Sequence, residues 1–170
     1  MNDELIPPWI KKIKDAEDSA RDKAALESAR DLADRTTIQA GAPKFWKELA
    51  KDLEIAAHAL ARINVTATCS SLGGEEPRPS SDRRAPEHGV RVDMQAGFPR
   101  VKIGYVNIWY TEGTYHLRVY CTKEEQEPEQ KIRLGLNRTG EVCAFTNGSP
   151  LDAEQTAEAI LSPLATYVRS

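Results

Sequence analysis

Apolar and polar positions alternate from Val101 to Cys121, and the alternation predicts a β-hairpin whose two arms agree about which way they face. With Glu112 and Gly113 at the tip, the expected pairs on one face are Tyr110 with Tyr115, Ile108 with Leu117, and Val106 with Val119. A slip of one residue would set Ile108 against a polar side chain and destroy that agreement. The other face pairs Trp109 with His116, Asn107 with Arg118, and Tyr105 with Tyr120, a mixture too aromatic for an ordinary solvated surface.

Further strands flank this hairpin. Val65, Ala67 and Cys69 point one way in a short β-branched run, and Val90, Val92 and Met94 share a face opposite Arg91, Asp93 and Gln95. Residues 72–89, rich in proline, glycine and charge, read as a connection, and residues 122–130 as a solvated acidic one. A second hairpin follows, in which Gly140 takes the left-handed position of a three-residue turn. The turn pairs Asn137 with Glu141, Leu136 with Val142, and Leu134 with Ala144. Arg133 and Phe145 then fall on the opposite face with Gly135 and Cys143.

Helical spacing brackets the strands. Pro7 and Pro8 suit a first helical turn, and the polar stretch after them predicts a helix from Trp9 to about Arg35 with only a shallow alanine-rich stripe. The segment TTIQAGA then reads as a break, and Pro43 as the opening of a second helix that ends at Asn64. In that helix Phe45, Leu49, Leu53, Ala56, Leu60 and Ile63 recur at core spacing, with Glu54, His58 and Arg62 on the solvated side. Asn147 and Gly148 turn the chain into a closing helix with Asp152 as N-cap and Gln155 completing a capping box. Its stripe is Ala157, Ile160, Leu161, Leu164 and Val168, and Pro163 is expected to kink or divide it near Ser162.

Two core-facing helices around a run of strands imply an α+β fold: a predominantly antiparallel sheet of five or six strands, helices packed on one face, and an N-terminal helical arm. The expected division is an arm over residues 1–40 and an α+β domain over 41–170. The expected core unites Leu49, Leu53, Leu60, Val106, Ile108, Leu117, Val119, Leu134, Ile160 and Leu164.

Composition narrows the function classes. A charged fraction of 29% with 40% hydrophobic residues is that of a globular chain, and a formal charge of -3 gives no broad pull toward nucleic acid or anionic lipid. No stretch reads as a signal peptide or a membrane span, so the expected compartment is the cytoplasm. Cys69, Cys121 and Cys143 stand singly inside strands without zinc-ligand spacing and are expected to be small buried thiols. No metal and no cofactor is expected.

No enzyme motif is present: neither G-x-S-x-G, nor HExxH, nor a GxGxxG after a strand. The residues with most to offer are Tyr105, Trp109, His116, Arg118, Tyr120, Arg133 and Phe145, which would share one sheet face and could stack on or pair with a ligand or partner. Tyr105, Trp109, Tyr120 and Phe145 at ~150 Å² each would present about 600 Å² of aromatic surface. The expectation is therefore a self-associating interaction or structural protein, with a homodimer through this face, the N-terminal helix, or both. The candidate covers for that face are the N-terminal helix of the same chain, a second copy across a two-fold axis, or a different protein. A small-ligand or nucleic-acid binding module is the alternative, although the acidic balance counts against nucleic acid, and an enzyme without a recognisable motif is the third reading.

Overall fold

The computed structural model describes residues 8–63, 65–72, 86–96, 101–122 and 130–165, with side chains undescribed at 8–9, 101–103, 122 and 164–165. Helix α1 (Pro8–Leu60) is followed by a 3-10 turn (Ala61–Ile63) and by strands β1 (Val65–Leu72), β2 (Glu87–Ala96), β3 (Val101–Thr111), β4 (His116–Thr122), β5 (Gln130–Leu136), β6 (Val142–Thr146) and β7 (Ser149–Leu151). Helix α2 (Ala153–Ala165) closes the described chain. The strands form one antiparallel sheet in sequential order, β1 to β7, so the architecture is α+β as expected, with seven strands in place of five or six. Contacts divide the chain into residues 1–36 and 37–170.

The additional strand is β7. Asn147 and Gly148 both hold positive φ, 52° and 81°, the signature of a tight hairpin turn, and the three residues after them pair with β6. Pro150 has no N–H for a further neighbour, which suits an edge strand.

The expected break between two helices is absent, because α1 runs through both Gly41 and Pro43. A Cβ on Gly41 would sit 2.5 Å from Cγ2 of Val142, so this glycine lets helix and sheet approach closely. Pro43 deprives the Gln39 carbonyl of its usual partner four residues on, at a cost of ~3 kcal/mol in a helix interior. Burial of Ala42, Phe45 and Trp46 beside it offsets that cost. The buried stripe is Ile38, Ala42, Phe45, Trp46, Leu49, Leu53 and Ala57. Ala56 and Leu60 are only half-buried, and Ile63 is exposed where the helix tightens into the 3-10 turn. His58 is exposed as expected, with Nδ1 2.8 Å from the Glu54 carbonyl oxygen.

One core lies between this stripe, α2 and the inner face of the sheet. Val65, Val92, Met94, Val106, Ile108, Leu117 and Leu134 supply the sheet side, and Ala153, Ala157, Ile160 and Leu161 the α2 side. The side chain of Leu164 and the whole of Val168 lie outside the described residues, as do Asn64 and most of both predicted connections. Helix α2 continues through Pro163 to Ala165 and is not divided near Ser162.

The central hairpin keeps its predicted faces but not its predicted register. Tyr110 pairs with Leu117, Ile108 with Val119 and Val106 with Cys121, a displacement of two residues along β4. A type II-like turn closes over Glu112 and Gly113, whose φ is +78°, through a bond from the Thr114 amide to the Thr111 carbonyl. Tyr115 is thereby released from β3, and its carbonyl accepts the Leu134 amide of β5 instead.

The turn from Asn137 to Glu141 is as predicted: Gly140 has φ of +81°, and the Asn137 amide donates to the Glu141 carbonyl. Asn137 Oδ1 accepts the amides of Thr139 and Glu141, both at 2.9 Å. Hydrogen bonds from the Asn137 amide group and then the Thr139 hydroxyl hold the Glu141 carboxyl below the usual range.

The capping box is present in both directions. Asp152 Oδ1 accepts the Gln155 amide at 2.8 Å, and Gln155 Oε1 accepts the Asp152 amide at 3.2 Å. Asp152→Ala is expected to cost about 1 kcal/mol, read as a lower urea midpoint with unchanged slope; an unchanged midpoint would show that the cap contributes nothing.

Candidate functional site

The outer face of the sheet carries all seven predicted site residues, and strand pairing sets them in rows. Glu87 pairs with Thr111 across β2 and β3, and His116, Arg133 and Phe145 form a row across β4 to β6. Gly89, Trp109, Arg118 and Lys131 form the next, and Arg91, Asn107 and Tyr120 the third. The predicted partners of three aromatic or polar residues are corrected by the two-residue displacement: Trp109 stands opposite Arg118, Asn107 opposite Tyr120, and Tyr105 opposite Thr122. His116 stands opposite Arg133.

The rings lie close against the sheet. A Cβ on Gly89 would come within 2.6 Å of Cε3 and Cζ3 of Trp109, and one on Gly135 within 2.6 Å of Cε2 of Phe145. Each ring therefore covers a glycine on the neighbouring strand, an arrangement that gives the glycine the packing it lacks. The Arg91 guanidinium lies 3.9 Å from the centre of the Tyr105 ring, while its Nε and Nη2 donate to Asp93 at 2.7 and 2.9 Å. The Asp93 bonds raise the guanidinium pKa further. Arg118 pairs with Glu87, whose Oε1 also accepts the Thr111 hydroxyl. Tyr105, Trp109 and Phe145 are half-buried as a result, and among the described residues only Tyr120, at 41%, remains an exposed large ring.

Arg118 and Lys131 are cross-strand neighbours, as are His116 and Arg133. Arg118, Lys131 and Arg133, with the imidazole of His116, thus adjoin on β4 and β5, between Trp109 on one side and Phe145 on the other. Lys131 was missing from the sequence-based set, although its place two residues before Arg133 on the same strand face signals it. Gly89 and Gly135 were missed as well, and only the strand register reveals their role.

A second constellation lies on the inner side. The ring of Tyr110 stacks between Trp46, 6.0 Å away, and His88, 6.2 Å away, and His88 Nε2 is 3.0 Å from Glu112 Oε1. Burial, with Glu112 nearby, pushes the Tyr110 phenol up. His88, Trp46, Glu54, Cys69 and Ser71 line a cavity of ≈ 460 Å³. Burial and the neighbouring Glu54 raise the Cys69 thiol, which opposes formation of a nucleophilic thiolate. Cys143 is buried and likewise raised, whereas Cys69 and Cys121 are half-buried rather than fully enclosed. Among the described residues no group of three or more His, Cys, Asp or Glu is placed to hold a metal ion, and no helix is long and apolar enough to cross a membrane.

Against known proteins, no family model, no curated protein and no solved structure matches this chain.

Proposed function

We propose that this chain is an interaction protein that self-associates, with the N-terminal part of α1 as the associating element. One observation carries the reading: every described side chain from Ile10 to Thr37 is exposed, including Ile10, Ile13, Leu26 and Leu32. Most helical stability in proteins comes from packing an amphipathic face, and among the described residues no side chain of this stretch is buried. A surface from another copy would supply the missing contact. The outer sheet face has less need of a cover, since Trp109 and Phe145 already lie over Gly89 and Gly135.

The expected result is a light-scattering mass of twice 18.9 kDa at tens of micromolar. A mass of one chain at that concentration overturns the reading. The double substitution Trp109→Glu, Tyr120→Glu is expected to leave the dimer intact, and its loss would move the interface to the sheet face.

A second reading rests on the basic neighbours Lys131 and Arg133, with His116 and the Glu87-paired Arg118, beside Trp109 and Phe145. Such a face suits an anionic ligand or protein segment better than a symmetric contact with itself, where like charges would meet. A dimer indifferent to the double substitution leaves this face open to that ligand.

A further inference from the structure

Helices α1 and α2 meet along a groove of ≈ 630 Å³ whose floor includes Ile55, Ala59, Leu60 and Leu161. Ile55 is 55% exposed there, an unusual position for a large aliphatic residue beside other apolar side chains. Asp52, Glu154 and Glu158 stand on its rim, and among the described residues no lysine or arginine lines it. The groove is thus apolar at its base and anionic at its edges.

The chain contains a segment of the opposite character. Trp9 to Lys14 reads WIKKIK, three cations with no acid, on the first turns of α1. At about 100° per residue, Ile10 and Ile13 fall about 60° apart, Lys14 lies about 40° outside Ile10, and Lys11 and Lys12 each lie about 100° outside the pair on opposite flanks. Ile10 and Ile13 are 38% and 51% exposed. The six residues 9–14 span about 9 Å of helix, within the ~12 Å of helix between Asp52 and Leu60.

We infer that the first turns of α1 from a second copy dock in this groove, with Ile10 and Ile13 on the apolar floor, Lys14 beside them at the acidic rim and Lys12 reaching the rim from the opposite flank. The contact is a helix in a groove, anchored by two side chains and oriented by charge. It rests on the self-association proposed above and names the surfaces that perform it.

A charge swap tests it. Sedimentation velocity is measured on the intact protein, on Asp52→Lys, Glu158→Lys, on Lys12→Glu, Lys14→Glu, and on an equimolar mixture of the two variants, with circular dichroism confirming that each is folded. Each variant alone is expected to weaken the dimer about tenfold, and high salt to weaken the parent dimer, while the mixture regains affinity through restored opposite charges. A parent that is monomeric overturns both the contact and the self-association. A dimer that neither variant weakens, or variants weakened without recovery on mixing, overturns the contact and leaves self-association standing.

Discussion

Leu53→Ala and Ile108→Ala are each expected to lower the unfolding free energy by about 2–5 kcal/mol, a large share of the ~5–15 kcal/mol typical of a domain. Both side chains are fully buried, Leu53 on α1 and Ile108 on β3, and both belong to the one core between helices and sheet. Alanine is the better helix former, so the loss at Leu53 comes from packing alone and must outweigh a small gain in helical propensity. At Ile108 the loss of a β-branched side chain in a strand adds to the cavity. Urea unfolding at fixed protein concentration measures both. A loss below about 1 kcal/mol at both sites would mean that other faces of α1 and β3 form the core.

The faces of the strands were legible because side-chain alternation has period two. A displacement of two residues along β4 leaves Val106, Ile108 and Tyr110 inside and Tyr105, Asn107 and Trp109 outside, so the face assignment survives an error in pairing. The pairing itself was not legible. It depends on the turn at Thr111 to Thr114, whose closing bond leaves Tyr115 to β5, and nothing in the alternation marks that transfer. The later hairpin was legible in full because its turn is written in two side chains: Asn137, which gathers the amides, and Gly140, which takes positive φ.

The continuity of α1 was hidden by two residues whose usual meaning is interruption. Gly41 and Pro43 lower helix propensity, but propensity is a weak prior against burial of Ala42, Phe45, Trp46 and Leu49 over the same two turns. Trp46 was also the signal missed for the inner constellation. The spacing from Ala42 through Phe45, Leu49 and Leu53 widens by one position to include it, and the added position reaches Tyr110 and through it His88. At the outer site the composition was legible and the surface was not. Whether four rings demand a cover depends on how they lie, and that follows from which residues stand across from them.

Gly89→Ala decides whether the rings lie as described. A methyl group at this position would stand 2.6 Å from the Trp109 ring and 2.8 Å from the carbonyl oxygen of Leu72, its partner on β1. The ring can turn away, but the carbonyl belongs to the backbone of a paired strand, so relief requires β1 and β2 to shift. Alanine would ordinarily favour a strand interior over glycine by ~0.5–1 kcal/mol. The expected net result is nevertheless a loss of about 1–3 kcal/mol in urea unfolding, with Trp109 emission shifted toward that of a water-exposed indole. Trp109→Ala and the double variant complete a cycle. Removing the ring should recover part of the cost of the methyl group, giving a coupling of at least ~0.5 kcal/mol, while the part due to the Leu72 carbonyl persists. A stable Gly89→Ala protein, or a coupling near zero, would place Trp109 away from Gly89, and the outer face would again present a ring in want of a cover.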